Sequence, residues 1–454
     1  MRLVALPSLL GVNELLRRYR EGALHPREVV DRTLDRIATA DAAHPFVWIS
    51  RVPAAELHIR ADRLAKHGPS ADLPLFGVPF AVKDNIDTAG LPTTAACPAF
   101  SYTPTRDAGS VRRLLDAGAI LVGKTNLDQF ATGLTGTRSP YGACESVYGG
   151  DLVSGGSSSG SAVAVASGMV PFALGTDTAG SGRVPAAMNG IVGLKPTRGL
   201  VSTSGVVPAC RSLDCVSVFT GSTEDAATVL DVLARRDPED PWSRTAPTAP
   251  AASPESASFR LAVAAKGELD FDRDTAVAAT FLSAEGRVAA RATGVHPTPL
   301  GPLLEAGDLL YGPWVAERLS GLTDFLASHP DDVLPVTRAV IERGADYSGA
   351  DAFRCIHRLR ELRAWAARLW ERADALLLPT TPTTFTRAQI AEQPLARNLV
   401  LGRYTQFANL LDMSAVSIPA GVTEDGRPVG ISLLGPAFAE ARLLQIAHQL
   451  QEVQ

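Results

Sequence analysis

From Leu75 to about Thr220 one texture recurs: short apolar runs (VPFAV, AILVG, VPFAL, IVGL) set apart by Gly, Ser, Thr, Asp and Asn. Apolar runs of four or five residues suit buried strands, and the small polar residues between them supply turns. Interleaved with helical stretches, this texture predicts an α/β fold whose chemistry is concentrated in the same segment. Ahead of it, residues 13–40 place Leu15, Leu16, Val29, Val30, Leu34 and Ile37 at helical spacing among Arg and Glu, which predicts two amphipathic helices flanking the core. Beyond it, FRLAVA, ALLLP, AVSIPAG and PVGISLLG predict strands and residues 303–376 read as helical. Residues 237–258 are rich in Pro, Ala and Ser and poor in large apolar groups, so a linker or long surface loop is expected there.

A chain of 454 residues with 46% hydrophobic composition can bury a large core. Its 43 basic and 48 acidic residues nearly cancel, and without a run of five like charges a nucleic-acid partner or a polybasic membrane anchor is not expected. The N-terminus is broken by Pro7 and reads poorly as a signal peptide, the apolar runs are too short for a membrane span, and the expected location is the cytoplasm. Five scattered cysteines without CxxC spacing argue against a zinc site or a disulfide framework.

Three short motifs compete for the chemistry. Gly118 to Thr125 fits GxxxxGK[ST] letter for letter, but Ala119 to Val122 is an apolar run suited to a buried strand, where a phosphate loop needs free N–H groups. Gly156-Ser157-Ser158-Ser159-Gly160 fits GxSxG with Ser158 as nucleophile, yet SVYGGDLVSGG before it is a poor strand and none of His296, His329, His357 or His448 sits in a recognisable catalytic loop. Composition alone makes GGSSSGS a flexible linker; the apolar AVAVASGMVPFALG after it pins it to a core instead. The next small-residue motif, GTDTAGSG, can turn successive N–H groups into an anion-binding nest, which is what amide hydrolysis needs for its oxyanion.

Three segments, GVPFAVKDNIDTAG, SGGSSSGSA and GTDTAGSGRVPAAMNGIVGLKPT, resemble the three blocks of the amidase signature family, in that family's order. The resemblance implies a central mixed β-sheet covered by helices on both faces. A single domain over residues 1–454 is expected, with its signature core at about 75–220 and, in departure from full-length members that often carry one, no additional C-terminal domain. The resemblance also implies a Ser-Ser-Lys mechanism at Lys83, Ser157 and Ser181, a cis peptide at Ser157, no metal or organic cofactor, and homodimerisation. A serine hydroxyl needs a base to attack an amide, and a lysine serves only when neutral, a state that burial beside Pro79, Phe80 and Val82 favours. Ser157 is expected to relay the proton of Ser181 to Lys83. The N–H groups of Thr178, Ala179, Gly180 and Ser181 are the oxyanion-hole candidates, with Asp177 and Arg183 supporting their turn.

Within the family, TNLDQFATGLTGTRSPYGA, VVPACRSLDCVSVF and LLYGPWVAERL resemble the allophanate hydrolase branch. That implies a small anionic amide as substrate, with Thr132 and Gly133 near it and Tyr311 and Arg318 holding its carboxylate, since a guanidinium fork binds carboxylates bidentately. Relative to that branch one residue is missing between Tyr311 and Gly312. On a continuous helix this rotates Tyr311 by about 100° relative to Arg318, whereas a turn at Gly312-Pro313 absorbs it. Other readings are an amidase for another ureido or carboxylated amide, biuret-derived or malonamide-like, a glutaminase-type component of an amidotransferase, or an inactive binding protein.

Overall fold

The computed structural model describes residues 10–247 and 258–451. The strands, largely buried except for Trp48–Arg51 and Gly294–Thr298 at the edges, satisfy their backbones by pairing. They are β1 (Trp48–Arg51), β2 (Pro79–Lys83), β3 (Ile120–Thr125), β4 (Phe172–Asp177), β5 (Val192–Lys195), β6 (Cys215–Thr220), β7 (Arg260–Ala264), β8 (Gly294–Thr298), β9 (Ala375–Pro379), β10 (Ser414–Val422) and β11 (Pro428–Gly435). Among the described residues they form one mixed sheet of order β1-β3-β2-β4-β6-β5-β10-β11-β9-β7-β8. Its two halves meet where β10 lies antiparallel to β5, with Ala415 opposite Lys195.

Period-two alternation sends side chains to opposite faces. Phe80 and Val82 of β2 enter the larger core with Leu15, Val229 and Leu443, which come from the helices Val12–Arg20, Thr223–Leu233 and Glu440–Gln451. Ala81 points the other way, to Ala162 and Val163 of the helix Ser159–Ala166. On β9, Leu376 and Leu378 meet the helices Gly301–Asp308 and Gly349–Ala367. Both faces are therefore covered. Phe80 and Phe172 stack across neighbouring strands at 5.3 Å, and burying each contributes roughly 2 kcal/mol.

The GxxxxGK[ST] segment is strand β3, and its Lys124 ends in a fully buried ion pair with Asp84 at 3.1 Å. The described part of the Pro/Ala/Ser-rich segment, residues 237–247, carries neither helix nor strand and is mostly exposed, but two of its side chains are anchored. Asp237 and Asp240 are buried, accepting from Ser202 Oγ (2.7 Å) and Thr203 N (2.7 Å), so acidic side chains anchor the part whose apolar content is low. Residues 248–257 of that segment lie outside the described residues. The five cysteines are free and buried. Among the described residues no helix is long and apolar enough to cross a membrane.

Candidate active site

Strands β2, β3 and β4 run parallel, so their C-terminal ends open at one edge, the place where open α/β sheets gather ligands. Lys83 closes β2, and Thr176 and Asp177 close β4. Lys83 Nζ donates to Ser157 Oγ at 2.8 Å and to Thr176 Oγ1 at 2.7 Å. Burial pushes the lysine down to about 7, against the raising fields of Asp128, Asp214 and Asp177. An amine so placed can exist neutral near pH 7. The Gly156–Ser157 peptide is cis, the geometry that the resemblance implies. Ser158, the alternative nucleophile, donates to Thr176 O at 3.1 Å and sits at the helix N-terminus as a structural tie.

The turn after β4 is wrapped around one carboxylate. Asp177 accepts from Gly180 N (Oδ1, 2.9 Å) and Gly182 N (Oδ2, 3.0 Å), and so bonds the N–H groups on both sides of Ser181. Arg183 completes it with two bonds of 2.9 Å, Nε to Oδ2 and Nη2 to Oδ1, in a fully buried pair. Burial alone raises the Asp177 carboxyl, and the guanidinium more than offsets this, so it stays below its usual value. The expectation for Gly180 needs correcting. Its N–H is already committed to Asp177, so it has no donor to offer an oxyanion. Among the described residues, the N–H groups of Thr178, Ala179 and Ser181 have no protein acceptor, and Ser181 Oγ makes no hydrogen bond to a protein group.

Asp214, Asp128 and Thr176 do not stand out in the sequence. Asp214 accepts from Thr178 Oγ1, Ala209 N (2.9 Å) and Cys210 N (3.2 Å). Burial pushes its carboxyl up to about 6, with Thr178 and the two N–H groups pulling it back. Asp128 organises the loop after β3 by accepting from Arg138 N (2.8 Å), Gly136 N (3.1 Å) and Thr135 N (3.2 Å). A Cβ on Gly133 would come within 2.6 Å of Asp128 Oδ2, so this glycine permits that close approach. The available signal was Asp128 itself, which opens the stretch DQFATGLTG.

Tyr311 and Arg318 lie on different elements. Tyr311 ends the short turn Leu309–Tyr311, Gly312 leaves helical geometry (φ −92°, ψ −136°), and the helix Val315–Ser320 carries Arg318. The turn at Gly312-Pro313, and not a continuous helix, separates them. Both are tied to residues 132–134. Arg318 Nη1 donates to Thr132 Oγ1 at 3.0 Å, and Asn398 Nδ2 donates to the Tyr311 hydroxyl (3.4 Å) while its Oδ1 accepts from Leu134 N (2.8 Å). Arg318 is buried and its Nε has no protein partner. A cleft of about 1000 Å³ lies elsewhere, between the first two helices and the end of Ser159–Ala166.

The Amidase family model matches residues 28–444. The urea amidolyase of Saccharomyces cerevisiae is 44% identical over 406 residues, 88% of this chain and 22% of that protein, so the chain spans about a fifth of the length of such relatives. A glutamyl-tRNA(Gln) amidotransferase subunit of Symbiobacterium thermophilum is 37% identical over 98% of this chain and 97% of its own length. Among solved structures, the allophanate hydrolase of Kluyveromyces lactis superposes with a TM-score of 0.90 at 39% identity, over 98% of this chain and 73% of that one.

Proposed function

The chain belongs to the amidase signature family, and from that premise we propose that it hydrolyses the terminal amide of allophanate, using Lys83, Ser157 and Ser181. The observation that carries the mechanism is the buried 2.8 Å bond from Lys83 Nζ to Ser157 Oγ. Neutral Lys83 takes a proton from Ser157, which takes one from Ser181 as the latter attacks the carbonyl. Oxyanion charge is met by the N–H groups of Thr178, Ala179 and Ser181. The proton returns through Ser157 to the departing nitrogen, so ammonia leaves and water then releases N-carboxycarbamate, which breaks down to carbon dioxide and a second ammonia. Thr176, as a second partner of Lys83, fixes the amine's direction.

The substrate's carboxylate is assigned to Arg318, a buried guanidinium with an unpartnered Nε beside Thr132, together with Tyr311. Similarity to urea amidolyase and allophanate hydrolase supports the same assignment. A second reading, the glutaminase component of an amidotransferase, is favoured by the end-to-end match to the amidotransferase relative. We take the described residues as one amidase domain, in keeping with the single sheet, and a homodimer as its assembly. Ammonia release from allophanate, biuret, malonamide and glutamine separates the readings. Turnover confined to allophanate supports the proposal; turnover of glutamine alone moves the assignment to the amidotransferase class.

A further inference from the structure

A second concave site lies behind the catalytic loop. Two adjoining hollows of about 220 and 500 Å³ share Arg198, Ser212 and Trp242. The smaller adds Arg211 and Arg244, the larger Arg360 and Arg363. Five guanidiniums thus converge in a chain whose net charge is −5, so this is a local reversal of sign and not a general basic surface.

The carboxylates lining the groove leave most of that charge unbalanced. Asp412 is shared between Arg198 (3.2 Å) and Arg244 (2.7 Å), and Asp214 is spent on Thr178 and two backbone N–H groups. The side chains of Arg211 and Arg360 are exposed and make no hydrogen bond or ion pair among the described residues. Arg198 Nε is buried without a partner. Arg198, Arg360 and Arg363 line the same hollow, and burial together with the fields of Arg198 and Arg244 holds the Arg363 guanidinium below its usual value. Like charges so close repel, and an anion with several oxygens relieves that repulsion through charge-assisted bonds.

The groove also touches the catalytic loop. Ser212 bonds Glu317 through its N–H (2.7 Å) and its hydroxyl (2.6 Å), and Glu317 precedes Arg318. Asp214, on the groove's wall, holds Thr178 beside Ser181. We propose that this groove binds a small polyanion, carrying two or more phosphate or carboxylate groups, and that its occupant changes amidase turnover through Ser212 and Asp214. The regulatory half rests on the amidase reading; the binding half does not.

Calorimetric titration of the whole chain with pyrophosphate, and in parallel with citrate, measures binding without reference to activity and tells phosphate from carboxylate ligands. Binding by either is expected, weakening as salt is added. The variant Arg211→Gln/Arg360→Gln, with one change in each hollow, is expected to bind about tenfold more weakly or worse at unchanged melting temperature. Ammonia release should respond to the binding anion in the wild type and lose that response in the variant. Failure of both anions to bind, undiminished binding by the variant, or binding that leaves turnover unaltered overturns the proposal.

Discussion

Burial pulls the Lys83 ammonium from 10.5 down to about 7, with Asp128, Asp214 and Asp177 opposing. Between those two values the unfolded chain keeps a proton that the folded chain has released, so this group's contribution to stability rises with pH across that window. Below about pH 7 the folded chain holds a buried cation at its full desolvation penalty. Lys83→Met is therefore expected to abolish turnover while raising stability at pH 6 by about 1–3 kcal/mol and flattening the pH dependence between 7 and 10. Urea denaturation at several pH values checks this, and a variant less stable than wild type at pH 6 contradicts it. Lys83, Ser157 and Ser181 were singled out by the resemblance of three segments to the family's blocks; no local pattern alone separates Lys83 from a solvated lysine at a strand end. The resemblance could not reveal that Gly180 spends its N–H on Asp177, since that depends on how the turn closes in space.

At the scale of elements, the turn from Asp177 to Arg183 is one unit: a carboxylate bonding two N–H groups of its own turn and one guanidinium. Removing the charge strands Arg183, whose Nη1 already lacks a partner. Asp177→Asn should destabilise the protein by about 3–5 kcal/mol and lower kcat more than it changes KM, because the donors at Ser181 lose their frame. Chemical denaturation and initial rates measure both; a stable variant with an intact kcat contradicts this role. Eight strands were legible because buried strands must be apolar, and the two N-terminal helices because their apolar stripe repeats every 3.6 residues; β1, β6 and β8 were not read as strands, and β1 and β8 are partly exposed and lack a continuous apolar run. The anchoring of Tyr311 by Asn398 and of Arg318 by Thr132 was not legible as contacts, since 87 and 186 residues separate the partners and no local pattern encodes such a meeting. Asp237 and Asp240 were hidden for a related reason: polar residues in a Pro-rich stretch look solvated until their partners, Ser202 and Thr203, are found.

Across the whole molecule, one sheet is shared by both parts of the chain. Residues up to 220 supply β1 to β6, those from 260 supply β7 to β11, and β5 pairs with β10 at the join. The helix Glu440–Gln451 also packs on the helix Thr223–Leu233, with Thr223 Oγ1 donating to Gln451 Oε1 at 3.0 Å. A chain cleaved between Pro247 and Ser258 should accordingly stay associated and active, its fragments co-eluting in native gel filtration and parting only in denaturant; separation without denaturant contradicts a shared core. Lys83 acting as base toward Ser157 and Ser181 in a family amidase is tested most directly by ammonia release from allophanate between pH 5.5 and 9, for wild type, Lys83→Ala and Ser181→Ala. The expected result is a rate that climbs with pH through a midpoint near 7, as Lys83 loses its proton, and falls by about 10⁴-fold or more in either variant. A rate flat across that range, or a Ser181→Ala variant that still turns over at the wild-type rate, would contradict it.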